Sequence, residues 1–458
     1  MRGGEPEVTV AHGTGRSAAG VMNRPGLPFE AGPRVRSGSG VGSSVVRAMI
    51  VVALLNFDQF PRLIARGFVV TAVLLAVPLI LHEVLRPASR ARVVVFWVLV
   101  LFGVLALPGI TRAPESEYGQ QKFFLLVTLT MAAVLAVAVL RGPRDVEMFA
   151  VVFVVSGLVL AVAALTGDSE GGRASGFGSN PIWLARAVGA ALVALTWLYL
   201  RRRLSAWPAA LLAVILLLGL IATGSRGPLL ATVVAMFFLV LAGLRLKIRQ
   251  VRREWVGLTL MGALVLVVAA LPSLLPPRVY ALVVDPSEEL FGSARAAMRE
   301  ATTPIIAENP GGIGYGNWGD YSGMAVYRYP HNLWLELPAE AGWLVGGFFV
   351  LAVLAVAFGL WVVSRREPAA GLVLGLLAFY AVAVSTSGDI NGDRPLFVVL
   401  ALGVLLLAGA RARAAGGRPG AVGARRQARA EAWGPMSPAR PPSGRGLREH
   451  AGRARALG

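Results

Sequence analysis

His331 is the residue best placed to take a proton. Glu336 and Glu340 follow it, on one face of any helix they share, and Asn332 stands between them as an N-cap candidate. Of the four histidines, His12 and His450 lie in terminal tails and His82 ends an apolar run, so His331 alone sits in a polar loop among carboxylates. An imidazole in that setting is a general-base candidate. Ionisable groups at the head of an apolar run are by default functional or paired. The whole stretch Glu308–Gly342 is rich in glycine and aromatic residues.

The chain around this stretch is built for a membrane. Hydrophobic residues make up 56% of its 458 positions and charged residues only 15%, against about 25% in soluble domains. Apolar runs of roughly 17–22 residues recur, and such segments must satisfy their own backbone hydrogen bonds as helices. Twelve spans are expected, near 44–57, 64–85, 93–110, 123–140, 147–166, 182–200, 204–222, 228–244, 255–275, 339–363, 369–386 and 395–410. The expected fold is thus an all-α polytopic membrane protein. Spans 1–9 occupy 44–275, a loop domain 276–338 with a helix near 288–306, and spans 10–12 occupy 339–410. The tails 1–43 and 411–458 are Gly-, Pro- and Arg-rich and read as disordered.

Basic residues orient the spans. Arg86/Arg90/Arg92, Arg141/Arg144, Arg201–Arg203, Arg245/Lys247/Arg249/Arg252/Arg253 and Arg365/Arg366 fall on alternate connections. By the positive-inside rule these and both tails are cytoplasmic, and the long loop is extracytoplasmic. Arg173, Arg226, Arg295 and Arg394 on the opposite side then need another reason to be there. The net charge of +19 sits about half in the C-terminal tail. It suits anionic lipid better than nucleic acid.

Several motifs have bland readings. Gly314, Gly316 and Gly319 form GxGxxG, but with no βαβ context they read as tight turns and a close approach of backbone to ligand. Asp389–Asp393 begins like a calcium loop and then departs from it, so a turn is expected. No Asp-x-Asp pair or cysteine is present, and no metal or cofactor site is expected. Thr223–Gly227 reads equally as a tight turn with a snorkelling Arg226 or as an anion site.

Four blocks in order carry a resemblance. Arg173-Ala-Ser-Gly-Phe-Gly-Ser-Asn180-Pro181, the Ser225-Arg226-Gly227 turn, Arg295 followed by Asn309-Pro310-Gly-Gly-Ile-Gly314, and His331-Asn332…Glu336…Glu340-Ala341-Gly342 resemble the O-antigen ligase / O-antigen polymerase family. Gly311 and Pro338 depart from its pattern. The resemblance implies a multi-span, lipid-carrier-dependent glycosyltransferase architecture in the bacterial inner membrane, metal-independent and inverting. It implies a polyprenyl-pyrophosphate-linked glycan donor and a glycan or lipid-linked acceptor, lipid A-core in ligases or the next repeat unit in polymerases. Arg226, Arg295 and Arg173 would then bind pyrophosphate. His331 would act as base, with Glu336 or Glu340 orienting it. Asn332, Gly314, Trp318 and Tyr329 would line the substrate. A glycolipid transporter or flippase is the competing class, but it calls for polar sites near the midplane. Nothing in these residues points to an oligomeric state.

Overall fold

The computed structural model describes residues 41–60, 62–87, 89–170, 173–244, 294–324 and 326–416. Both expected tails, apart from their inner edges, lie outside these residues. So do the expected span at 255–275, the first part of the long loop and the start of its helix.

The first half is a series of apolar helices: α1 (Val41–Asn56), α2 (Arg62–Leu85), α3 (Arg90–Thr111), α4 (Glu117–Leu125), α5 (Met131–Leu135), α6 (Pro143–Thr166), α7 (Pro181–Leu200), α8 (Ala206–Ala222) and α9 (Arg226–Leu244). Between α4 and α5 the backbone widens into a π-turn over Leu126–Thr130, so the two form one interrupted span, Glu117–Val139. The only strands among the described residues are a two-residue antiparallel ladder, β1 (Ser169–Glu170) and β2 (Arg173–Ala174). The second half holds α10 (Ala294–Glu308), the short α11 (Trp318–Ser322), α12 (Leu333–Ala341), α13 (Trp343–Val363), α14 (Pro368–Ala383) and α15 (Arg394–Gly416).

Eight described helical segments are long and apolar enough to cross a membrane, and three shorter apolar helices accompany them. The protein is a multi-pass helical membrane protein. Helix starts follow local chemistry. Asn180 accepts from the Ile182 amide at 2.9 Å with Pro181 in the first turn of α7, and Ser116 accepts from the Gly119 amide at 3.0 Å to open α4. The helix α7 is the hub, with 78% of its apolar window buried against 17% for α2. It packs on α6, α8, α9 and α14. Its sequence explains this: Ala187, Gly189, Ala190, Ala191 and Ala194 let neighbouring helices approach, which is how membrane helices gain contact without a hydrophobic drive between them. The exposed Leu, Val and Phe side chains of α2, α3 and α13 are the surface such a bundle shows to lipid.

Three boundaries differ from expectation. The expected span at 339–363 is two helices, because Gly342 turns the chain at φ 88° between α12 and α13. The two glutamates therefore lie on a separate short helix rather than at the head of a span. The span expected at 123–140 begins at Glu117, capped by Ser116, which draws Lys122 into the helix. The final helix runs on to Gly416.

Candidate active site

The polar residues at one end of the bundle form two nests. The first centres on His331. The chain reaches it through Tyr329-Pro330 and leaves through Asn332, whose side chain accepts from the Trp334 amide at 3.0 Å and caps α12 as expected. His331 itself sits at φ 54°. A left-handed backbone is uncommon outside glycine, and such outliers gather at functional sites. Its ring lies 4.3 Å from the Tyr329 ring, centroid to centroid, with Tyr327 edge-on at 6.2 Å. Burial lowers the His331 pKa below the usual value. The Arg295 cation on α10 and Arg186 on α7 push it the same way, and Asp389 opposes them. This environment favours the neutral imidazole, the form that can accept a proton. Burial also lifts the Tyr329 phenol to about 12, so it stays a hydroxyl.

The second nest joins two segments far apart in sequence. Arg173, leaving the small ladder, points its Nη2 at Ser225 Oγ, 3.4 Å away, and Ser225 is the residue before Arg226. Ser225 Oγ donates in turn to the Pro181 carbonyl at 3.2 Å. Gly227 completes the turn for a steric reason: the side chain of Thr386 occupies the space a Cβ there would need. Two residues before Thr386, the Val384 carbonyl accepts from the Leu333 amide at 3.0 Å. Packing thus connects the Ser-Arg-Gly turn to the base of the His331 segment.

The glutamates have a different partner from the one expected. Lys122 Nζ lies 2.6 Å from Glu336 Oε1 and 2.5 Å from Glu340 Oε2, and all three side chains are buried. Glu336 Oε1 also accepts from the Ile390 amide at 3.1 Å. Carboxylates removed from water need a cation and donors, and Lys122 and the 389–391 turn supply them. Neither glutamate is hydrogen-bonded to His331, so the role of orienting its ring is withdrawn. Burial raises the pKa of both glutamates, Lys122 pulls them back, and the charge of Asp389 pushes both up again.

Two expected substrate contacts also resolve as structure. Trp318 is 0% exposed, and its Nε1 donates to Thr302 Oγ1 at 2.9 Å. It packs with Met298, Ile305 and Ala339, so it knits α10 and α11 to α12 and offers no face to a sugar. Gly314 is buried at φ 88°, its amide donating to the Glu340 carbonyl at 2.9 Å. The close approach expected of the glycine run is made to protein. Gly312 shows why: at φ 80°, a Cβ there would fall 2.5 Å from the Glu340 carbonyl oxygen and 2.6 Å from the Gly342 nitrogen. Arg112 closes this junction from α3 by donating to the Gly312 carbonyl.

A further polar group went unnoticed in the sequence. Arg186, inside α7, lies 2.5 Å from Asp393 Oδ1 and donates to the Ala383 and Ser387 carbonyls. Arg394 pairs with Asp58 at 2.9 Å and stacks over the Phe57 ring. A small pocket beside them is lined by Asn56, Asp58, Gln59, Trp183, Arg186 and Tyr380. The available signal was Arg186 itself: a cation within an apolar span needs a partner.

The blocks that meet here are the four that carry the family resemblance, and comparison with known proteins agrees. Residues 211–350 match the family model described as O-antigen ligase. The likeness is to the O-antigen ligase family. A Pseudomonas aeruginosa protein described as "O-antigen ligase" is 29% identical over 346 residues, spanning 70% of this chain and 79% of that protein. The O-antigen ligase match begins within α8 and ends within α13, so it takes in the Ser225-Arg226-Gly227 turn, Arg295, His331 and both glutamates. It stops short of Arg173 and Lys122, which come from the first half of the chain.

Proposed function

We propose that the protein is an inner-membrane glycosyltransferase that moves a glycan from a polyprenyl-pyrophosphate carrier to an acceptor hydroxyl at the extracytoplasmic face. One observation carries the reading: His331, at φ 54° beside the Tyr329 ring and just before the Asn332 cap, is connected through Leu333, Val384 and Thr386 to the Arg226 turn.

The chemistry follows from the charges. The donor's isoprenoid stays in lipid, so its anomeric carbon sits at the membrane surface. The leaving group is a pyrophosphate that gains negative charge as the glycosidic bond breaks. Guanidinium groups bind phosphate oxygens through paired N–H donors and stabilise that charge as it builds. Arg226 and Arg295 are assigned this task, with Arg173 supporting the Arg226 turn through Ser225. His331 removes the proton from the acceptor hydroxyl as its oxygen attacks the anomeric carbon. Attack from the side opposite the pyrophosphate inverts the anomeric centre. Asn332 shapes the His331 segment, and Tyr329, stacked at its ring, is the candidate wall for a sugar. The relative's description favours a ligase over a polymerase.

The test is transfer in proteoliposomes holding polyprenyl-pyrophosphate-linked glycan and a hydroxyl acceptor. His331→Ala and Arg295→Ala should each abolish product while the protein accumulates normally. Full activity in both would remove these roles.

A further inference from the structure

We propose that Lys122 is the positioning residue of the site, clamping Glu336 and Glu340 so that α12 presents His331 at the required place and backbone angle. This rests on the assignment of His331 as the base.

The geometry is unusual in three respects. One ammonium serves two carboxylates, at 2.6 and 2.5 Å, with every side chain in the cluster essentially out of solvent. The two carboxylates lie one helical turn apart on the nine-residue α12, so a single cation fixes both the position and the rotation of that helix. The same lysine also fixes the turn behind it: its carbonyl accepts from Asn391 Nδ2 at 2.9 Å, while Thr130 Oγ1 donates to Asn391 Oδ1 at 2.9 Å. The Ile390 amide of that turn then closes on Glu336. The span Glu117–Val139, α12 and the 389–391 turn thus meet at one buried residue, whose ammonium holds α12 and whose carbonyl holds the turn.

His331 stands two residues before α12, past the Asn332 cap. Its φ of 54° lies in the left-handed region, at a free-energy cost that the surrounding packing offsets. From the other side α12 is held by the apolar packing of Ile313 and Trp318 on Ala339 and by the Ile313 and Gly314 amides, which donate to the Ala339 and Glu340 carbonyls at 2.9 Å each. On the face that meets the membrane bundle, the Leu333 amide and Trp334 Nε1 donate to the Val384 and Ala381 carbonyls, and the ion cluster is the charged tie. Tyr118 and Tyr315 border it, Arg328 lies over the Tyr118 ring, and Asp389 adds negative charge. The cluster holds more carboxylates than cations, so one glutamate can be neutralised without leaving the lysine alone. Loss of the lysine leaves two buried carboxylates facing each other.

The experiment compares Lys122→Met, Glu340→Gln and the charge-free triple variant Lys122→Met/Glu336→Gln/Glu340→Gln with the parent protein, in proteoliposomes at matched amounts of folded protein. Lys122→Met should lower kcat at least 30-fold while the KM for the lipid-linked donor changes less than threefold. Glu340→Gln should lower kcat far less. The triple variant leaves no uncompensated charge and should accumulate, and it should show the same selective loss of kcat. Parent-like kcat in the triple variant would overturn the proposal. So would failure of both lysine variants to accumulate, which would make Lys122 a folding residue only. If His331→Ala retains full activity, the base assignment itself fails, whatever the lysine variants do.

Discussion

Arg186 and Asp393 are 207 positions apart in sequence and 2.5 Å apart in the structure, both buried. The pair ties the hub helix α7 to the start of α15, and Arg186 goes on to hold the carbonyls of Ala383 and Ser387 at the end of α14. Removing one member of such a pair strands the other charge, which costs about 3–5 kcal/mol. Asp393→Ala should therefore lower the thermal unfolding temperature sharply in detergent. Arg186→Met combined with Asp393→Leu should recover much of that loss. Equal destabilisation by the single and double variants would show that packing, not charge, dominates at this junction.

The pH dependence of transfer should report His331. Its folded pKa lies below 6.5, so the neutral base is in place at pH 7 and the rate should be flat there. The rate should fall on acidification, with a midpoint below 6.5. Arg295 contributes to the depression, so residual transfer by Arg295→Gln should show the midpoint moved up toward 6.5. The unfolded chain holds the His331 proton more firmly than the folded one. Stability should therefore also decline as pH drops through 6.5. A midpoint above 6.5 in the parent protein would contradict this environment.

Gly312 and Gly311 are adjacent and should respond oppositely. Gly312→Ala places a Cβ against the Glu340 carbonyl at φ 80°, and should cost about 1–3 kcal/mol and loosen α12. Gly311 is exposed, and a Cβ there would meet only Arg112 at 3.4 Å. Gly311→Ala should stay within about 0.5 kcal/mol of the parent. Thermal melts of the two variants decide this.

Trp318 should behave as a core residue. Trp318→Ala should cost about 3–5 kcal/mol by leaving a cavity and removing the donor to Thr302 Oγ1. Trp318→Phe should keep most packing and leave the donor KM unchanged. A large rise in donor KM with Trp318→Phe would return Trp318 to the substrate.

Much of this organisation is legible in the amino-acid sequence. Apolar runs announce helices because lipid forces the backbone to pair internally, and Asn180 and Asn332 mark helix starts through local chemistry. Arg173 and Arg226 stand out because positive residues on that side have no topological reason. What escapes is charge matching at long range. Lys122 looks like a loop residue until Ser116 starts the helix early, and only folding brings it to Glu340, 218 positions later. The glutamates' spacing tells which face they share but not which cation meets it. The glycine run illustrates the opposite error: its positive φ values are real, and the close neighbour they permit is the protein's own backbone.

The dispersal of the polar partners along the chain has a consequence for biogenesis. Lys122, Arg186, Arg226, His331 and Asp393 reach the bilayer in that order, and Lys122 and Arg186 each wait for a partner that has yet to be synthesised. The junction cannot close until the start of α15 has emerged from the ribosome. A nascent chain that has not yet reached Glu340 and Asp393 therefore carries Lys122 and Arg186 without the carboxylates that pair with them in the finished fold.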